Sequence, residues 1–136
     1  MMVVDTGPLV AALDADDADH KRCLDLLERY AGLLLVPAPV LTEVCWLLER
    51  ERGSQAEAAF LDALAADELR LVELQKSDLR RMADLVRRYD NLPLGAVDAS
   101  VVAVAERLGT AQVATLDRRH FTVVRPKHVP AFDLLP

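Results

Sequence analysis

Two aspartates follow short apolar runs that are typical of buried strands. Asp5 comes directly after Val3 and Val4, and Asp117 comes after the mostly apolar segment 112–116. Such runs predict strands of a sheet that is covered on both faces. Each aspartate also has an ordinary interpretation, because Asp5 can cap the following helix or form an Asx turn and Asp117 can begin a turn. Their chemistry therefore depends on what lies near them.

Two further acids, Glu43 and Asp98, lie on helix faces that should pack against the core. Helical spacing places each of them on an apolar stripe, formed by Val40, Val44 and Leu47 for the first and by Val101, Val102 and Ala105 for the second. A carboxylate in such a place destabilises the fold unless it is paired, hydrogen-bonded or bound to a metal. For Asp98, an N-cap is the alternative interpretation.

All four carboxylates are expected to meet at one edge of the sheet, since the carboxyl ends of parallel strands and the helix starts that follow them lie together. Acids that repel one another need a cation, and ligation by oxygen alone favours Mg²⁺ or Mn²⁺ over zinc. The three histidines have no spacing typical of a metal pair, so we expect His20, His120 and His128 at the surface or in the core. The sequence predicts a site for one or two ions formed by Asp5, Glu43, Asp98 and Asp117.

Strand and helix patterns alternate along the chain. Apolar runs predict strands at 3–4, 33–36, 69–74, 112–116 and 121–124. Helical spacing predicts helices at about 6–13, 23–30, 39–52, 54–66, 77–89 and 98–108. This alternation predicts a three-layer α/β/α fold with a mostly parallel sheet and right-handed crossovers. A length of 136 residues fits one domain spanning residues 1–136.

The composition limits the class of protein. Hydrophobic residues make up 52% and charged residues 28%, which is typical of a globular protein. Cys23 and Cys45 have no metal-type spacing and are expected to be buried reduced thiols. No basic region precedes Asp5, and the longest apolar run, 31–41, is interrupted by a glycine and two prolines, so we expect a cytoplasmic protein with no membrane segment.

The charge is segregated along the chain. A net charge of −6 argues against a basic nucleic-acid-binding surface. Residues 1–20 nevertheless contain five aspartates and no Lys or Arg, whereas residues 114–136 contain four basic residues and two aspartates. The basic residues are Arg118, Arg119, Arg125 and Lys127, and they are either phosphate contacts or ordinary solvated charges.

The residues around the four acids resemble those of PIN-domain ribonucleases, specifically the VapC type of toxin–antitoxin modules. The matching segments cover nearly the whole chain in order and are residues 3–6, 42–44, 97–100 and 115–121. The resemblance implies Asp5, Glu43 and Asp98 as the principal acidic triad, with Asp117 as a more variable fourth acid. It also implies that Thr6 and Thr115 are polar positions near the metal, although Thr6 has helix capping as an equal alternative.

The resemblance further implies a five-stranded parallel sheet, a homodimer and a cognate VapB-type antitoxin that inserts in or beside the crevice. The expected reaction is hydrolysis of RNA phosphodiester bonds, in which one or two ions roughly 3.5 to 4 Å apart activate water and stabilise the leaving oxygen. Asp5, Asp98 and Asp117 would hold metal, and Glu43 would be a ligand or would orient the water.

Three other functions compete with this one. An inactive PIN-like module would bind RNA or a partner without cutting, and a titration beside a cleavage assay would reveal it. A phosphotransfer hydrolase would use Asp5 as nucleophile, but such folds need a well-placed lysine, and Lys127 follows Pro126. The Asp-Thr-Gly run also occurs in aspartic proteases, but here Pro8 and Leu9 lead into a helix rather than an all-β fold.

Overall fold

The apolar runs and helical stripes of the sequence fold into five strands and seven helices in a computed structural model that describes residues 1–136. In chain order the elements are β1 (Met2–Val4), α1 (Thr6–Leu13), α2 (His20–Arg29), β2 (Leu34–Pro37), α3 (Ala38–Arg52), α4 (Ser54–Ala65), β3 (Arg70–Val72), α5 (Lys76–Arg88), α6 (Ala96–Leu108), β4 (Gln112–Ala114), α7 (Arg118–Val123) and β5 (Asp133–Leu135). None of the helices combines the length and the apolar character that a membrane crossing requires.

The five strands form one sheet in the order β3-β2-β1-β4-β5, and every neighbouring pair is parallel. The predicted α/β/α fold is therefore confirmed. From β1 the chain adds β2 and β3 on one side, and it then crosses to add β4 and β5 on the other. Because such crossovers are right-handed in nearly all proteins, this strand order is expected to place α1 to α4 on one face and α5 to α7 on the opposite face.

The central strand β1 is buried along its whole length, as a strand covered by helices on both faces must be. It belongs to a cluster of 28 buried hydrophobic residues. The inward stripe of α6 is part of this cluster, since Val101, Val102 and Ala105 are completely buried. Both cysteines are free; Cys23 is buried, whereas Cys45 is only half-buried.

The predicted strand at 121–124 is wrong. These residues end helix α7, and the fifth strand is β5, which pairs with β4 in the register Gln112 to Asp133. Burial explains the difference, because Phe121 and Val124 are buried while the two residues between them are exposed, and this is the spacing of a helix. The tail accommodates a strand between its prolines because β5 is an edge strand and pairs on one side only.

Helix α5 is fixed by a buried acid at its start. Asp78 accepts a hydrogen bond of 2.9 Å from the backbone N–H of Gln75. The Gln75 side chain accepts one from the backbone N–H of Asp78, and the two bonds form a capping box. The guanidinium of Arg107, on α6, contacts the same carboxylate at 3.0 Å. These bonds join α5 to α6, the helix that also carries Asp98.

Candidate active site

The carboxyl ends of β1 and β4 open an acidic crevice of about 650 Å³. The two strands are neighbours, but the chain leaves β1 towards one face of the sheet and leaves β4 towards the other, which creates a crevice between them. All four predicted acids line it, together with Thr6 and Gly7. The structure therefore brings together side chains from four separate segments, as the sequence predicts.

Asp5 is the most buried of the four acids, with 6% of its surface exposed. It is the N-cap residue of α1, but its side chain makes no capping hydrogen bond. Burial raises the pKa of Asp5 from 3.8 to about 6, the backbone N–H of Thr6 opposes this effect, and repulsion by Asp98 and Glu43 adds to it. The buried carboxylate thus lacks a compensating positive charge, and the capping interpretation does not account for it.

Two buried threonines lie beside the strand ends. The Thr115 hydroxyl donates a hydrogen bond of 2.9 Å to Asp5 Oδ2 and accepts one of 3.0 Å from the backbone N–H of Asp117. Thr115 therefore links the two strand-end aspartates and restricts the orientation of Asp5. Thr6 is also buried, and its Oγ1 has no hydrogen-bond partner although the residue lines the crevice.

Glu43 and Asp98 enter the crevice from α3 and α6, and both are half-buried. Asp98 lies in the first turn of α6, whose N-cap is Gly95, so the N-cap interpretation of Asp98 is wrong. Burial raises the pKa of Asp98; contact with His120 opposes the effect, and repulsion by Asp117 and Glu43 adds to it. Like Asp5, Asp98 thus has neighbouring carboxylates that disfavour its ionised form.

His120 is a site residue that the sequence pattern did not reveal. Its Nδ1 lies 2.6 Å from Asp98 Oδ2 and 3.2 Å from Asp117 Oδ2. The ligand atoms of these three residues all lie within 4.8 Å of one another, close enough to hold one metal ion. The expectation of a surface or core position for His120 did not include this contact with two of the predicted acids. The missing signal was the helix, because α7 turns a residue three positions after Asp117 back towards it, whereas the sequence pattern predicted no helix between 117 and 124.

The family profile described as PIN domain matches residues 2–125. The chain belongs to the PIN-domain family. Its sequence is 33% identical to Ribonuclease VapC26 of Mycobacterium tuberculosis over 135 residues, which are 99% of this chain and all of that protein. The resemblance to the VapC type is thereby confirmed.

Solved structures of other proteins share the fold of this PIN domain. VapC20 of Mycobacterium tuberculosis, described as a toxin that cleaves the sarcin-ricin loop, superposes with a TM-score of 0.77 at 23% identity and covers 83% of this chain and 87% of its own. VapBC2 of Rickettsia felis, bound to a DNA fragment from its promoter, gives a TM-score of 0.71 at 14% identity and covers 99% and 98%. Identities this low support the shared fold alone.

The other two histidines of the PIN domain lie outside the crevice, as predicted. A ring nitrogen of His20 lies 2.9 Å from the carbonyl oxygen of Ala11, and one of His128 lies 2.7 Å from that of Thr110. Both rings thus have structural partners.

None of the four predicted phosphate-binding residues lines the crevice of the PIN domain. The guanidinium groups of Arg118 and Arg119 are exposed but donate to backbone carbonyls, 3.1 Å from Leu134 and 3.2 Å from Leu92. Arg125 is exposed, and Lys127 lines a separate depression of about 350 Å³ beside Glu106 and Arg107. The structure therefore places none of the four in the acidic crevice and places Lys127 in a different depression.

Gly7 allows the chain after β1 to approach the chain after β4. A Cβ atom at position 7 would lie 3.3 Å from Leu116 Cβ, closer than ordinary contacts allow. The glycine of the Asp-Thr-Gly run thus has a packing role in this PIN domain, which an aspartic-protease interpretation does not require.

Proposed function

We propose that this PIN domain is an endoribonuclease that hydrolyses RNA phosphodiester bonds with the help of bound Mg²⁺ or Mn²⁺. We propose further that it is the toxin of a type II toxin–antitoxin pair with a VapB-type partner. The identity of 33% to Ribonuclease VapC26 over 99% of the chain supports the reaction. Toxin–antitoxin complexes with this fold, among them one from Klebsiella pneumoniae, support the partner. Homodimerisation stays a prediction of the resemblance.

The observation that carries the proposal is the convergence of four carboxylates on one crevice, two of them with raised pKa values. A divalent cation would supply the positive charge that these groups lack. Carboxylate oxygens are donors that suit Mg²⁺ and Mn²⁺. The buried Thr6 hydroxyl, which has no partner in the protein, is a further oxygen that a hydrated ion could engage.

In the proposed mechanism, Asp5, Asp98 and Asp117, which line the crevice, would hold the metal. The bound ion would activate water and stabilise the leaving oxygen of an in-line displacement. Glu43, which enters the crevice from α3, would orient the attacking water or add a ligand. Thr115 keeps Asp5 Oδ2 oriented, and His120 fixes Asp98 through a short hydrogen bond. No protein side chain acts as a nucleophile.

Two alternatives have less support. A phosphotransfer mechanism through Asp5 needs a cation beside that carboxylate, and Lys127 lies in another depression. An inactive module that only binds RNA or a partner would retain the crevice without its chemistry. No specific observation favours either one.

Cleavage of RNA by the purified chain, with and without EDTA, tests the proposal. We expect Asp5→Asn and Asp98→Asn each to reduce the rate more than about 100-fold, since metal ligands matter more than the residues that support them. Asp25→Asn, which changes an exposed acid on α2, is the matched control and should cleave like the wild type. If EDTA and both crevice substitutions left the rate unchanged, the proposed reaction would be wrong. RNA binding without cut products would identify the inactive module.

A further inference from the structure

A second depression of about 520 Å³ adjoins the acidic crevice. It is lined by Pro39, Thr42, Glu43, Trp46 and Val97. Glu43 and Val97 also line the crevice, so the two depressions form one continuous surface. If a phosphate of a nucleic-acid strand lay in the crevice, the neighbouring nucleotides of that strand would lie beside Trp46.

Trp46 is the only tryptophan in the chain, and 57% of its surface is exposed. It lies three residues after Glu43 on α3, and therefore on nearly the same face of the helix. One turn further on, the guanidinium carbon of Arg50 lies 5.3 Å from the centre of the Trp46 ring. The two side chains form a cation–π pair at the margin of the site and leave much of the ring open to solvent.

We infer that Trp46, supported by Arg50, is a stacking residue for an unpaired RNA base close to the bond that is cut. This inference rests on the proposed function. Single-stranded RNA is bound in general by aromatic rings and arginine planes that stack on its bases, and this contact does not require phosphates. Two features favour an RNA base over another apolar group as the occupant. The depression continues into the proposed cleavage site, and the guanidinium of Arg50 lies over the Trp46 ring.

The charge of the crevice favours such a contact. The crevice is lined by four acids and by no Lys or Arg, so it repels the phosphates of a substrate until a cation is bound. Stacking on Trp46 would supply binding free energy without a basic surface. This accounts for an acidic nuclease with a net charge of −6 that still holds RNA.

The first test needs a short single-stranded RNA substrate. Sequencing the ends that the wild type generates identifies the cut site, and steady-state cleavage is then measured on a short RNA that contains it. Trp46→Ala should raise KM about 5- to 100-fold and change kcat little, because stacking away from the reacting atoms contributes uniform binding. Trp46→Phe keeps an aromatic face and should recover most of the loss. Leu79→Ala, which removes an apolar side chain that is 52% exposed on α5, is the matched control and should behave like the wild type.

Abasic substrates identify the base. With the wild type, one abasic position near the cut should raise KM as much as Trp46→Ala does, and with Trp46→Ala the same abasic position should have no further effect. Because Trp46 is the only tryptophan, RNA binding should also quench the fluorescence of Asp5→Asn protein, which leaves the RNA intact.

The outcomes separate the inference from the proposed function. If the wild type cuts RNA but Trp46→Ala has an unchanged KM, or if abasic effects stay additive with it, the stacking role is overturned. If Trp46→Ala changes the mass measured by sedimentation, Trp46 is a contact between copies of the chain and the inference also fails. If the wild type does not cut RNA with Mg²⁺ or Mn²⁺, the proposed function fails first and the inference with it.

Discussion

Asp5→Asn should make the metal-free protein more stable at neutral pH while it abolishes cleavage. Burial, together with the repulsion of Asp98 and Glu43, raises the pKa of Asp5 from 3.8 to about 6. The ionised carboxylate is thus destabilised in the folded protein, whereas an amide of nearly the same shape carries no charge to desolvate.

The expected gain follows from that pKa. The difference between 3.8 and about 6, at 1.36 kcal/mol for each pKa unit, sets an upper limit of about 3 kcal/mol. The amide oxygen can still accept from Thr115, but the second carboxylate oxygen is lost as an acceptor, which removes about 1 kcal/mol. A net gain of about 1 to 2 kcal/mol raises Tm by about 3 to 8 °C in a protein of this size.

The pH dependence gives an independent signature. Between pH 3.8 and about 6 the folded wild type holds a proton on Asp5 that the unfolded chain has released, so its free energy of unfolding falls as the pH rises through this window. Above the window the full penalty is present, and below it the penalty is absent. The advantage of Asp5→Asn should therefore be largest near pH 7 and should shrink as the pH falls towards 4.

Thermal unfolding followed by circular dichroism in EDTA measures both effects. Asp117→Asn is the matched control, because the Asp117 side chain is 48% exposed and its substitution should leave Tm nearly unchanged. Added Mg²⁺ should raise Tm in the wild type and not in Asp5→Asn. A lower Tm for Asp5→Asn at pH 7, or a gain that persists unchanged at pH 4, would refute the explanation by burial of charge.

Three further substitutions test the supporting contacts. Thr115→Val keeps the side-chain shape but removes a hydrogen-bond donor, so Mg²⁺ affinity measured by calorimetry should fall about 10- to 100-fold, with recovery in Thr115→Ser. His120→Ala should lower kcat about 10- to 100-fold without changing the circular dichroism spectrum, and an unaltered kcat would exclude a positioning role. Asp78→Ala leaves Arg107 without its carboxylate and should reduce the urea-measured free energy of unfolding by about 3 kcal/mol, whereas the exposed-pair control Asp84→Ala should change it by less than about 1 kcal/mol.

The order of elements was predictable because each buried strand is a short apolar run and each helix has an apolar stripe. The last strand was not, since β5 contains Asp133 and lies between prolines. An edge strand pairs on one side and has little need for apolar residues, so its pattern is weak. The same weakness made Phe121 and Val124 look like a strand, although two apolar residues three apart fit a helix equally well.

Two of the four acids were predictable because a carboxylate on a core-facing stripe is energetically conspicuous. Glu43 and Asp98 gave that signal through helical periodicity alone. His120 gave none, because its role depends on α7 turning back towards Asp117 and on α6 bringing Asp98 alongside. Contacts between separate segments are set by packing, which a single sequence does not display. Trp46, which we propose to stack on an RNA base, gave no signal for a related reason, since exposure is a property of the folded chain.

Gly7 has a consequence for ion selection under the proposed function. A methyl group there would press on Leu116 and move one strand end away from the other by a few tenths of an ångström. Mg²⁺ holds oxygens at about 2.0 to 2.1 Å and Ca²⁺ at about 2.3 to 2.6 Å. A displacement of a few tenths of an ångström is therefore as large as the difference between the ligand distances of these two metals. The radius of an ion held by both Asp5 and Asp117 would then depend partly on a residue that has neither charge nor side chain.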